Sequence, residues 1–387
     1  MPDRRPTTRD LLDRLVAFDT TSAKTNMPLI DFVKDYLDGH GVESQLVPTP
    51  DGLKASLFAT IGTIDKPGIG LSGHTDVVPV DGQQWASDPF QVTERDGKLY
   101  GRGTCDMKGF LACVLAMVPE FQARALKTPL HLLFSYDEEV GCTGVRPMIA
   151  ELGARLTRPR LVIVGEPTSM GIVDSHKGAA RFRTTVTGRE AHSSMTHIGV
   201  NAIHIAGMLI GELSRIEEEL RTGPQHPRFA PPYPTVQIGL IEGGRAQNIV
   251  PKHCTLSWEI RSVPGFDLNT VTDRFDVFVR ERCLPSMQAI GKDTGIETTL
   301  MNAVPAFYAG DASEAVSLVL NLMGQNETHA VSYGTEAGLF QRGGCDSVIC
   351  GPGDIAVAHR PDEYIEVTQL DRCLRFLGDL ADWAERN

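Results

Sequence analysis

A histidine and an aspartate stand two residues apart in Gly73-His74-Thr75-Asp76-Val77-Val78-Pro79, directly after the apolar run that begins at Ile69. A short apolar run broken by glycine and proline reads as a buried strand ending in a tight turn. In extended backbone, residues i and i+2 face the same way, so His74 and Asp76 can share one site. There the carboxylate would set the imidazole tautomer and raise its basicity. The same pattern recurs. Leu130 to Ser135 runs into Asp137-Glu138-Glu139, and Leu161 to Val164 runs into Gly165-Glu166-Pro167-Thr168. Asp106 opens an apolar helix, and His359 follows a strand near Val348 to Cys350.

In open α/β sheets, ligands gather just beyond the carboxyl ends of the strands, so these scattered residues should converge. Several carboxylates in one crevice repel one another and resist ionisation unless a cation holds them. Two histidines with several Asp and Glu suit zinc, cobalt or manganese better than calcium or magnesium. Their number suggests two ions, because one carboxylate can bridge metals roughly 3.5–4 Å apart. Taken singly, each element has a plainer reading. Adjacent glutamates usually lie on solvated surface, and His359 alone would be a loop histidine. The glycine-rich Gly101 to Gly109 carries neither a phosphate-loop Lys-Ser/Thr nor G-x-G-x-x-G, so a nucleotide site is a weak reading.

The elements that must position these groups fill a chain of 387 residues, long enough for two domains. The net charge of −12 offers no general attraction to nucleic acid or anionic membranes. No apolar run approaches the roughly 20 residues of a membrane span, and the polar start shows no export signal. The eight cysteines are scattered without a C-x-x-C pair, which points to reduced thiols and a cytoplasmic protein.

Helical spacing appears over Thr8 to Phe18, Asp31 to His40, Phe110 to Ala123, Ala312 to Met323 and Thr368 to Glu385. Strands are expected at Val42 to Pro48 and Leu57 to Ile61, and Trp85 to Leu99 reads as loop. Near Lys177 the character changes. A strand (Arg181 to Thr187), a long amphipathic helix (Asn201 to Arg221), two strands (Thr235 to Leu240, Cys254 to Val263), a helix (Asn269 to Arg282) and a strand (Gly295 to Leu300) follow in the order of a split βαβ domain. The expected architecture is therefore α/β: a mostly parallel twisted sheet flanked by helices over 1–176 and 304–387, with an inserted ferredoxin-like α+β domain over 177–303.

Taken together, Gly73 to Pro79, Gly101-Arg102-Gly103-Thr104-Cys105-Asp106-Met107-Lys108-Gly109, Asp137 to Glu139 and Gly165 to Thr168 resemble the di-zinc aminoacylase/carboxypeptidase family of metallohydrolases. The motifs stand in the family's order, and the likeness covers essentially the whole chain. It implies two divalent metal ions, zinc or cobalt, bridged by Asp106. His74 and Glu166 would complete one site, Glu139 and His359 the other, with Asp76 behind His74. Glu138 would be the general base, taking a proton from a metal-bridging water that attacks the acyl carbonyl and delivering one to the departing amine.

The resemblance further implies that the inserted domain acts as a lid and forms a homodimer. His192, in Ala191-His192-Ser193-Ser194, would reach the partner subunit's site as an oxyanion donor. Asn248 and Arg261 match substrate-binding positions, Arg261 offering a planar fork for an α-carboxylate. Without the resemblance, His192 and Arg261 read as ordinary surface residues.

Tyr333-Gly334-Thr335-Glu336-Ala337-Gly338, Cys350-Gly351-Pro352-Gly353 and Ala358-His359-Arg360-Pro361-Asp362-Glu363 most resemble members of arginine biosynthesis. They imply hydrolysis of N2-acetyl-L-ornithine to L-ornithine and acetate. The substrate's δ-ammonium then needs an acceptor. Glu336 either lies near it or caps the apolar helical start at Ala337. Alternatives are a succinyl-diaminopimelate desuccinylase, a broader N-acyl-amino-acid hydrolase, a carboxypeptidase-like dipeptidase and, from another class, a silent metal-bound dimerisation module. The presence of Glu138 beside every ligand argues against the last.

Overall fold

Three apolar runs, Ile69–His74, Leu130–Ser135 and Leu161–Val164, are buried along their whole length. In the computed structural model, which describes residues 6–387, Ile69–His74 pairs in parallel with both of the others. Asp346–Ile349 adds a fourth parallel strand beside Leu161–Val164. Continuous apolar strands of this kind need cover on both faces, as parallel sheets have. On one side the sheet continues in antiparallel fashion through Ala55–Ile61 and Ser44–Pro48.

The helices that cover the sheet differ in pattern according to their place. Gly109–Ala123 is buried nearly all round, as a central helix must be. Val367–Arg386 buries one stripe, Leu370, Cys373, Phe376, Leu377, Leu380, Ala381 and Ala384. Thr8–Ala17 begins with a capping box, Thr7 and Asp10 exchanging hydrogen bonds between side chain and backbone. The helix expected from Asp31 starts at Met27, because Pro28 suits a first helical turn. No described helix is long and apolar enough to cross a membrane.

The chain divides into two compact units. One comprises the chain up to Asp174, Tyr308–His329 and Thr335–Asn387; the other comprises Ser175–Phe307 with Ala330–Gly334. The second unit has its own core, centred on Phe182, Leu209, Leu213, Leu256, Trp258 and Phe275. Its antiparallel sheet runs Thr235–Gly243, His253–Ser262, Gly178–Thr187, Gly295–Val304. Ala202–Thr222 packs against this sheet, with Asn201 capping its first turn. The helix expected to run to Arg282 stops at Phe278, passes a wide turn and restarts as Leu284–Ile290. Pro285 lies in the first turn of that second piece, where its missing N–H breaks the ladder.

The segment read as loop before Leu99 holds a small hairpin, Thr93–Arg95 with Lys98–Tyr100. Asp96 and Gly97 turn it with positive φ angles of 51° and 72°, the Asp-Gly signature of a tight turn. Tyr364–Glu366 pairs with Lys98–Tyr100. This lays the loop after His359 against the turn that carries Asp106.

Candidate metal centre

His74 ends its strand, Glu138 and Glu139 follow the end of Leu130–Ser135, and Glu166 follows the end of Leu161–Val164. All four therefore emerge at the carboxyl edge of the parallel block. Asp106 sits just before the helix Gly109–Ala123, its peptide to Met107 in the cis form. The two oxygens of Asp106 face different partners. Oδ1 is 3.0 Å from His74 Nε2, which is also 3.9 Å from Glu166 Oε1. Oδ2 is 3.3 Å from His359 Nε2, which is 3.0 Å from Glu139 Oε2. Donor atoms of His74, Asp106 and Glu139 fall within 4.8 Å of one another, as do those of His74, Glu138 and Glu166.

The donor set fits a cation on two further counts. Glu139 Oε1 is buried without a hydrogen-bond partner, which is costly for a carboxylate oxygen unless something positive meets it. Burial also pushes Glu138 up to about 8 and Glu139 up to about 7, with neighbouring carboxylates adding to both shifts. Glu166 rises well above its ordinary value for the same reasons. Burial works against Asp106 too, yet His359 and His74 hold it below the usual carboxylate range. His359 is raised to about 10 by Asp106 and Glu139. Charge crowding of this kind is relieved by divalent ions.

Residues 70–383 match the model of peptidase family M20/M25/M40. The chain belongs to that family. It is 35% identical over 385 residues to an acetylornithine deacetylase of Proteus mirabilis (strain HI4320), covering 97% of this chain and 96% of the relative. It is 37% identical to an acetylornithine deacetylase of Myxococcus xanthus, with 96% of each chain covered. The fold is shared with an M20 family metallo-carboxypeptidase of Sulfolobus solfataricus, at a TM-score of 0.76 and 19% identity, covering 98% of this chain and 99% of that one. Family M20/M25/M40 membership makes the chain a metal-dependent amidohydrolase.

Around this M20 centre, Asp76 takes a wider part than support of one histidine. His74 Nδ1 lies closer to the main-chain oxygen of Asp76, at 2.9 Å, than to its carboxylate, at 3.5 Å. The carboxylate also accepts from the Glu138 and Glu139 amides and from Ser22 Oγ. Glu138 Oε1 also accepts from the Cys142 thiol at 3.2 Å.

Glu336 occupies the cap position of Ala337–Arg342 without a side-chain cap bond. Its carboxyl, 1% exposed, accepts from Ser135 Oγ at 2.5 Å and Ser72 Oγ at 3.2 Å. Both oxygens are thus engaged between two site-bearing strands. Glu336 stands at the start of that helix with its oxygens on the two serines.

His192, Asn248 and Arg261 belong to the second unit. His192 is exposed, with Nδ1 2.8 Å from Ser194 Oγ. A strand bridge to Ile249 brings Asn248 alongside, its carbonyl accepting from the Ser193 amide. Arg261 is half-buried and donates to Glu259 at 2.9 Å.

Sequence reasoning assigned no role to Ser22, Ser72, Ser135 or Cys142. Hydroxyls and thiols within buried strands and turns are common, and nothing local marks these four. Arg102 and Glu363 stand within the motifs, but their local sequence assigns them no function. An arginine between two glycines beside a dry helix was the available signal for the first.

Proposed function

We propose that this chain hydrolyses the acetyl amide of N2-acetyl-L-ornithine to L-ornithine and acetate, using two divalent ions held by His74, Asp106, Glu139, Glu166 and His359. The observation that carries the reaction is the division of the Asp106 carboxylate between two histidines, each with its own second carboxylate. The substrate is supported by likeness over nearly the full chain to proteins named acetylornithine deacetylase. Two histidines with carboxylates favour zinc or cobalt. Bound there, such ions supply Lewis acidity and draw the pKa of a water down towards ~7.

Glu138 acts beside them as the base. Its Oε1 is occupied by the Cys142 thiol and its amide by Asp76, which leaves Oε2 to take the proton and return it to the leaving amine. Arg261 holds the α-carboxylate in its planar fork, and Asn248 aids placement. His192, with Nδ1 held by Ser194, keeps Nε2 for the developing oxyanion.

We place His192 at the site of a second subunit. The sheet of the second unit ends in the exposed edge strand Thr235–Gly243, carrying Leu240 and Ile241 at 70% and 53% exposure. An unpaired apolar edge is a template for pairing with another chain. The eight unpaired cysteines suit a reducing, cytoplasmic setting.

The test is a panel comprising N-acetylornithine, N-acetylmethionine, N-succinyl-diaminopimelate and dipeptides, assayed before and after chelation. N-acetylornithine should give the highest kcat/KM, chelation should abolish turnover, and Zn²⁺ or Co²⁺ should restore it. A higher kcat/KM for the succinyl substrate or a dipeptide would overturn the substrate assignment. Turnover that survives complete metal removal would overturn the reaction.

A further inference from the structure

Glu363 and Arg102 form an ion pair buried on all sides, each 1% exposed, with Arg102 Nη1 2.6 Å from Glu363 Oε2. Removing both charges from water is expensive, and apolar residues of similar volume would commonly stabilise a core as well or better. Packing energy alone therefore does not account for the pair. The other oxygen of Glu363, Oε1, accepts from two backbone amides, those of Cys105 at 3.0 Å and Asp106 at 3.1 Å. The main chain adds a third tie, Gly101 N donating to Glu363 O at 2.9 Å.

Arg102 reaches the opposite way. Nη1 also donates to the Arg360 carbonyl at 3.3 Å, and Nη2 donates to Gln83 Oε1 at 2.6 Å. Gln83 Nε2 in turn donates to the carbonyl of His359 at 3.0 Å. Trp85 lies 5.0 Å from the guanidinium, within cation–π range, and its indole N–H donates to Gln83 Oε1. A continuous chain of polar contacts thus joins the backbone of Asp106 to the backbone of His359, residues more than 250 positions apart. The His359 loop needs such restraint. His359 and Asp362 both adopt left-handed backbone, with φ of 63° and 56°, a conformation non-glycine residues keep only where surroundings enforce it.

We propose that Glu363, Arg102 and Gln83 are positioning residues that hold the Asp106 and His359 main chains at a fixed separation and so set the affinity and geometry of the metal centre. This rests on the metal-binding reading above. Glu363 bonds directly to the Asp106 amide, whereas Gln83 bonds directly to the His359 carbonyl and reaches Asp106 only through Arg102 and Glu363. The two residues should therefore fail differently. Glu363→Gln leaves one acceptor oxygen and no charge, so it cannot hold both Arg102 and the Asp106 amide as the carboxylate does, and both ions loosen. Gln83→Leu cuts the arm to His359 and loosens one ion. Partners of this kind, lying outside the ligands themselves, typically change metal affinity by about 10–100-fold.

The experiment loads metal-free protein with Zn²⁺ in competition with a chromophoric chelator, and separately with Co²⁺ while its visible spectrum is recorded. Thermal unfolding of each metal-free variant is measured alongside. Glu363→Gln should weaken both Zn²⁺ steps and alter the Co²⁺ spectrum. Gln83→Leu should weaken one step by about tenfold, with any loss of melting temperature in the metal-free protein smaller than that of Glu363→Gln. Should Glu363→Gln fail to fold, the half-buried Gln83 position still decides the matter. Parental Zn²⁺ affinities and Co²⁺ spectrum in Gln83→Leu would overturn the proposal, as would a lowered melting temperature in either variant with affinity unchanged. A parent protein that binds no Zn²⁺ at all would instead remove the metal-binding reading itself.

Discussion

Asp76 Oδ1 accepts the backbone N–H of Glu138 at 3.1 Å, and its Oδ2 accepts that of Glu139 at 3.3 Å. One carboxylate thereby fixes the turn that presents both glutamates, while its main-chain oxygen engages His74 Nδ1. Hydrogen bonds to a charged acceptor contribute about 1.5–3 kcal/mol each. Asparagine has a single acceptor oxygen, so Asp76→Asn leaves one of these amides facing an NH₂ group. We expect kcat/KM to fall by roughly 10²-fold with both ions retained, checked by steady-state kinetics and elemental analysis. Parental kinetics would show that the turn holds its shape without the carboxylate.

The adjacent glutamates should fail in different ways. Glu138→Gln removes the proton carrier and keeps every ligand, so metal content stays near two ions per chain while kcat falls by about 10²–10⁴-fold. Glu139→Ala removes an oxygen that faces His359 and should lose or greatly weaken one ion. Equal metal loss in the two variants would mean that their roles are reversed or that neither is as assigned.

Action of His192 across a subunit boundary predicts complementation. His192→Ala and Glu138→Gln should each be inactive alone. In a mixed dimer, one site unites an intact Glu138 with the partner's intact histidine. Activity should reappear when the two variants exchange subunits. Exchange verified by mass, with no recovery, would place His192 outside the partner's site.

Glu336 offers a test of what lies beneath the metal centre. Ser135 and Ser72 both donate to its carboxylate, and burial pushes its carboxyl up to about 7. Glu336→Gln should lower kcat/KM for N-acetylornithine and for N-acetylmethionine alike. A loss confined to N-acetylornithine would restore Glu336 as the contact for the substrate's ammonium.

His131 provides a pH dependence away from the metals. Burial holds its imidazole down at about 4, against an ordinary 6.5, with Nδ1 2.9 Å from Thr60 Oγ1. Between those values the unfolded chain binds a proton that the folded protein refuses. Stability is therefore lost as pH falls from 6.5 towards 4, by up to about 1.4 kcal/mol per unit. His131→Leu should flatten that part of the stability curve relative to the parent, measured by denaturant unfolding. Parallel curves would show that His131 titrates normally.

The sequence by itself determined which strands are buried and where their charged ends lie. Apolar runs that stop at His74, Glu138, Glu139 and Glu166 carry both pieces of information locally, and sheet geometry then brings their ends together. The order of elements between Gly178 and Val304 likewise matches the sheet that forms there. Tertiary structure alone decided what each polar group does next. Asp76 was legible as a neighbour of His74, but its bonds to the Glu138 and Glu139 amides span about sixty residues. Glu336 carried a local helix signal, yet its oxygens go to Ser72 and Ser135 on two separate strands. Glu363 stood in a motif with no local sign of its partner, and the pairing of Tyr364–Glu366 with Lys98–Tyr100 brings it to the Asp106 amide. The physical reason is common to all three. Periodicity reports which face of an element avoids water, whereas the partner of a buried polar group is set by which distant segment packs over it, and that is written in no local pattern.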